Sequence, residues 1–168
     1  MGLRPSAVLK GVIIGIDPGR RGALVAIKGG EVVASLLMPF NDGLLDGDAV
    51  MSWLQRLNIE LIVLERQQSM PGQGVASTFK IGFRYGELYG MIRAMHLPVK
   101  RPSAREWTRV MLQGAEGEGK ARAISVVKKL LPGLGLRPGR CRVDQDGLAD
   151  AGLLALYGQT LLDGVVKC

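Results

Sequence analysis

Six residues near the middle of the chain, ELIVLE at positions 60–65, constrain the fold most, because a run so apolar fits a strand buried on both faces. A strand of that kind must be covered above and below, so the sheet that holds it needs helices to pack against. The remaining sequence supplies them. Residues 48–57 show helical spacing at Val50, Met51, Trp53, Leu54 and Leu57, and residues 75–95 read as one long helix. Ser103 and Glu106 form a capping box for a helix through Leu112. Residues 120–131 give a basic helix and residues 146–162 a largely apolar one, while the Pro- and Gly-rich stretch at 132–142 between them cannot be regular.

Residues 12–17, 23–27 and 31–38 read as strands, with Gly29 and Gly30 making the tight turn of a meander, and residues 97–101 give a short strand stopped by Pro102. The order of three strands, helix, strand, helix, strand and helices predicts an α/β fold: a five-stranded mixed sheet flanked by helices, in one domain over residues 1–168. Residues 60–65 are expected to be its central strand. The 47% of hydrophobic residues are spread along the chain and not gathered into one block, so no membrane span is expected. Residues 1–10 lack the apolar stretch of a signal peptide, which gives a cytoplasmic expectation. Cys141 and Cys168 have neither CxxC spacing nor a nearby histidine, and no disulfide or zinc site is expected of them.

The chemistry is concentrated in carboxylates. Asp17 ends the first strand before Pro18 and Gly19, and Glu65 ends the run at 60–65, so neighbouring parallel strands would bring both acids to one rim of the sheet. Paired acids without a base between them call for a cation, and oxygen-only ligands suit Mg²⁺, with Mn²⁺ able to substitute. Asp146 and Asp150 stand one helical turn apart at the start of the last helix. Capping alone would explain such a pair, but Asp150 falls on the apolar side of its helix, where an unpartnered acid is expensive. Asp144 is the rival to Asp146. Asp42, Asp46 and Asp48 read as solvated or capping residues, and His96, the sole histidine, as structural.

A net charge of +7, from 22 Lys and Arg against 15 Asp and Glu, favours a polyanionic partner, and the basic residues thicken from Lys100 onward. Near the acidic rim, Arg20, Arg21, Lys80, Arg84 and Arg105 are candidate phosphate contacts, and Gln68 and Gln73 candidate contacts in the loop beside it. Gly82, Gly86 and Gly90 line one face of the long helix and predict a close backbone approach, by the sheet or by a second copy. Phe79 and Phe83, one turn apart on that helix, are expected in the core.

GIDPGRRGALVAI at 15–27, IVLERQQSMPGQGVASTFKIGFRYG at 62–86 and DGLADAGLLALYG at 146–158 together resemble the RuvC-like Holliday junction resolvases, particularly their bacteriophage branch. The resemblance implies an RNase H-like fold and a homodimer that nicks opposed strands of a four-way DNA junction. It matches Asp17, Glu65, Asp146 and Asp150 to an acidic tetrad holding two metal ions, and Lys120 to a basic residue near the scissile phosphate. The chain departs from the pattern after Glu65, where Arg66, Gln67, Gln68, Ser69 and Met70 stand in place of an aromatic residue. Other readings are a nuclease of the same kind acting on other branched DNA or RNA–DNA hybrids, a nucleotide-binding ATPase using the IDPG turn, and a non-catalytic DNA-binding scaffold. The ATPase lacks a second glycine-rich strand turn, and the scaffold does not require all four acids.

Overall fold

The structure, a computed structural model, describes residues 11–165, so the expectations for residues 1–10 and for Cys168 lie outside the described residues. Strands β1 (Val12–Asp17), β2 (Ala23–Lys28) and β3 (Glu31–Leu37) form the antiparallel meander, with Gly29 and Gly30 at positive φ in the turn. A two-residue pairing of β4 (Phe40–Asn41) with β5 (Leu44–Leu45) follows, a small hairpin that the sequence reading had left as loop. Helix α1 (Gly47–Gln55) starts where the Asp46 carboxylate accepts the Ala49 N–H, a capping role as expected.

Strand β6 (Ile59–Leu64) lies parallel to β1, and β7 (Val99–Lys100) parallel to β6, giving the order β3-β2-β1-β6-β7. The middle strand is therefore β1, and β6 is its neighbour. This corrects the expectation that residues 60–65 form the centre, although Leu61, Ile62, Val63 and Leu64 are all buried as that run predicts. The remaining helices are α2 (Val75–Ala94), α3 (Ala104–Met111), α4 (Gly119–Leu130) and α5 (Asp146–Leu162). Ser103 and Glu106 make the capping box at the start of α3.

Side chains alternate along each strand and so divide the core into two layers. Val12, Ile14, Ile16, Ile62 and Leu64 pack with Val50 and Leu54 of α1 and Leu88 and Ile92 of α2. Ile13, Val25, Leu61 and Val63 face the other way, onto Trp107, Val127, Leu148, Leu154 and Ala155 of α3, α4 and α5. Each large aliphatic side chain so buried contributes roughly 1.5–3 kcal/mol.

The α5 layer is unusually close to the sheet. A methyl group on Gly15 would stand 1.9 Å from the Ala151 carbonyl oxygen and 2.4 Å from the Ala155 nitrogen, and one on Gly147 would stand 2.1 Å from the Arg21 carbonyl oxygen. Only hydrogen fits at either position, so α5 rests directly on β1 and on the turn after it.

The long helix α2 differs from expectation on two points. A Cβ on Gly82, Gly86 or Gly90 would meet nothing within 4 Å, so these glycines do not serve approach to the sheet. Phe79 and Phe83 are 71% and 54% exposed and are not core residues. The cause is geometric: only the later part of α2, through Leu88 and Ile92, is buried against the sheet, and the turns before it are largely exposed.

Candidate active site

Period-two alternation decides where the first two acids point. Asp17 follows Ile13 and Gly15 on the α5 side of β1, and Glu65 follows Leu61 and Val63 on the same side of β6. Ile16 is in register with Leu64, and the Glu65 N–H donates to the Ile16 carbonyl at 3.1 Å, so the two acids leave adjacent parallel strand ends together. Helix α5, seated by Gly15 and Gly147, begins at Asp146 and carries Asp150 one turn later over the same rim.

The electrostatics reflect this convergence. Burial raises the Asp150 carboxyl to about 7, and the charges of Asp17, Glu65 and Asp146 add to it. Burial likewise raises Asp17, with Asp146 adding, against the opposing N–H of Gly19 donated at 2.9 Å. Burial raises Glu65 too, Asp17 adds, and the Trp107 indole N–H opposes by donating to Oε2 at 2.8 Å. Asp146 is lowered: burial pushes its carboxyl up, but the ammonium of Lys120, paired to Oδ2, outweighs it.

Asp144 belongs to a different arrangement. Lys128 donates to its Oδ2 at 2.5 Å and Arg137 to its Oδ1 at 2.6 Å, and these partners lower its carboxyl. No acid of the cluster contributes to that shift. Trp107 was missed in the sequence because its link to Glu65 spans 42 positions and exists only once α3 packs beside β6.

The candidate DNA contacts divide into two groups flanking the acids. Arg20, Lys80 and Arg84 line one pocket with Phe79 and Phe83. Gln68 and Arg105 line another together with Glu65 itself. Gln73 accepts the Met70 N–H at 3.1 Å and so closes the turn of the loop after β6, while Arg21 is exposed in the β1–β2 turn near Asp146. His96, at positive φ after α2, and the free Cys141 take no part in these groups.

As the side chains stand, no three acids among the described residues form a closed ligand shell. The donor set nevertheless fits a hard divalent cation: oxygens only, repelling one another at a half-buried rim, with one carboxyl driven to about 7 for want of positive charge.

A mixed sheet in the order β3-β2-β1-β6-β7, covered by helices on both faces, is the RNase H-like architecture. Its particular likeness is to RuvC. Thermus thermophilus RuvC in complex with Holliday junction substrate superposes with a TM-score of 0.67 at 18% identity, over 92% of this chain and 96% of that one. A second structure of Thermus thermophilus RuvC gives 0.64 at 22% identity, over 93% and 98%. The yeast mitochondrial Holliday junction resolvase Ydc2 gives 0.54 at 17% identity, over 97% and 81%. By sequence, no family model and no curated protein matches the chain significantly.

Proposed function

We propose that this chain is a metal-dependent endonuclease that resolves four-way DNA junctions by nicking opposed strands. The observation that carries the reading is the mutual elevation of Asp150 by Asp17, Glu65 and Asp146 on one rim of a RuvC-like fold. Four acids from three elements, with Lys120 as the nearest ammonium, form a site that demands cations before it can accept a phosphate.

Asp17, Glu65, Asp146 and Asp150 would hold two Mg²⁺ ions, replaceable by Mn²⁺, which supply an activated water and charge neutralisation at the phosphodiester. The chain's own residues do the positioning. Trp107 orients the Glu65 carboxylate through its indole N–H. Lys120 holds Asp146 and offers an ammonium to the same phosphate. Arg20, Arg21, Lys80, Arg84 and Arg105 bind backbone phosphates on either side, and Gln68 and Gln73 meet the branch from the loop after β6.

The active form is a homodimer, so that two sites address two strands. The face that supports this is the Gly82, Gly86 and Gly90 stripe of α2, exposed and without any neighbour in its own chain. Among the described residues no helix is long and apolar enough to cross a membrane.

The test is incubation with Mg²⁺ and labelled synthetic substrates: a four-way junction, a linear duplex, a flap and an RNA–DNA hybrid. Symmetric nicking of the junction, abolished by Asp17→Asn, is the expected result. Preferential cutting of the flap or hybrid would overturn the junction assignment and keep the nuclease.

A further inference from the structure

Two phenylalanine rings in water are a liability unless something covers them. Phe79 and Phe83, the most prominent aromatic side chains on the surface of α2, lie stacked with centroids 6.3 Å apart and planes at 26°. They form the apolar part of a pocket of about 550 Å³ between α2, the β4–β5 turn and the β1–β2 turn. That volume is in the usual range for a small-molecule site. Arg20, Lys80 and Arg84 rim it, and Asp42 is the one acid in its lining. Arg84 is fixed in place, its guanidinium 5.2 Å over the Phe40 ring and donating to the Gly43 carbonyl at 3.2 Å. Arg20 and Lys80 enter no ion pair among the described residues.

An aromatic surface bordered by unpaired cations is complementary to a nucleobase, which offers a π face for stacking and a phosphate on either side. We infer that this pocket receives one unstacked base of the DNA substrate, laid against Phe79 and Phe83, with its flanking phosphates on Arg20 and Lys80. The inference rests on the proposed action on branched DNA, where bases at the branch lack a partner to stack on. Its position supports it, since Arg20 stands on the same β1–β2 turn as Asp17 and links the pocket to the acidic rim.

A second copy of the chain fits the patch less well. A two-fold contact centred on these rings would set Arg20, Lys80 and Arg84 against their own counterparts. The uncharged glycine stripe on the adjoining face of α2 carries no such repulsion.

The test is photocrosslinking in EDTA, where no strand is cut, with 5-iodouracil placed in a single-stranded oligonucleotide, at the branch of a four-way junction, and within an uninterrupted duplex. Adducts on Phe79 or Phe83 from the first two and none from the duplex are expected. Phe79→Leu/Phe83→Leu, which keeps apolar side chains at exposed positions, should remove the adducts and weaken single-strand binding about tenfold, the effect of one lost stack. A circular dichroism melt confirms that the variant is folded. Adducts mapped elsewhere, or single-strand affinity unchanged in the folded variant, would overturn the pocket. So would a variant that passes from dimer to monomer in light scattering with affinity for single strands intact, which would assign the rings to a second copy. Crosslinking without nicking under Mg²⁺ would remove the nuclease reading and leave the pocket, and nicking without crosslinking would do the reverse.

Discussion

The indole N–H of Trp107 donates to Glu65 Oε2 at 2.8 Å, across the gap between α3 and the end of β6. Trp107 is 3% exposed, so one side chain both fills the core of the α5 layer and fixes the direction of an acid at the site. The capping box at Ser103 sets where α3 begins and thereby how the indole is presented.

Replacing the indole separates these two roles. Trp107→Phe keeps most of the apolar volume and removes the donor, so stability should fall by only about 1–3 kcal/mol. Metal-dependent nicking should fall about 10- to 100-fold, as when a supporting partner of a metal ligand is lost, with the Mg²⁺ requirement shifted to higher concentration. Nicking rates over a Mg²⁺ titration check it, and an unchanged titration would show that Glu65 is held by other means.

Acid pairing also predicts a pH dependence of stability in the absence of metal. The folded Asp150 carboxyl titrates at about 7 and the unfolded one near its model value of 3.8. Between those values the folded chain holds a proton that the unfolded chain releases, so stability declines as pH rises, by at most about 1.4 kcal/mol per pH unit for one proton. In EDTA, Tm should therefore drop between pH 5 and pH 8, and Asp150→Asn should raise Tm at pH 8 with little effect at pH 4. Mg²⁺ should stabilise the unmodified protein more at pH 8 than at pH 5.

The two neighbouring aspartates should behave differently. Asp146→Asn breaks the pair with Lys120 and removes an acid from the cluster, and should abolish nicking. Asp144→Asn releases only Lys128 and Arg137, both more than half exposed, so stability should change by about 1 kcal/mol or less, with nicking retained. Parallel assays of both variants on one labelled junction decide the assignment.

Glycine substitutions should change sign between the two layers. Gly15→Ala forces a methyl into the α5 backbone and should destabilise by about 1–3 kcal/mol or more. Gly82→Ala meets only open space on an exposed helix and should stabilise an isolated protomer by about 1 kcal/mol. Gly86→Leu should turn a dimer into monomers in light scattering, and a dimer that survives it would exclude this face of α2 as the interface.

Much of this was legible in sequence because it is periodic or local. The burial of ELIVLE, the meander turn at Gly29 and Gly30, the Ser103 capping box and the Asp46 cap all depend on near neighbours in the chain. The burial of Phe79 and Phe83 was misjudged because helical spacing does not reveal where a helix runs past its sheet. The same blindness affected Gly82, Gly86 and Gly90, whose spacing marks a smooth face but not what lies across from it. The middle position of β1 follows from strand pairing over long separations, which no local pattern contains. Of the site, the acids were readable as strand-end and helix-start residues, whereas the Trp107 to Glu65 bond required the packed fold.

Helix α5 follows every strand of the sheet in sequence, yet it is seated on the innermost strand and contributes Asp146 and Asp150. During translation, a nascent chain can pair β1, β2, β3 and β6 while α5 is still inside the ribosome, leaving Asp17 and Glu65 without the acids that complete their site. The order of synthesis thus delays nuclease competence until the chain has released α5, and the groove over Gly15 stays open, a place for a chaperone to bind, until that helix arrives.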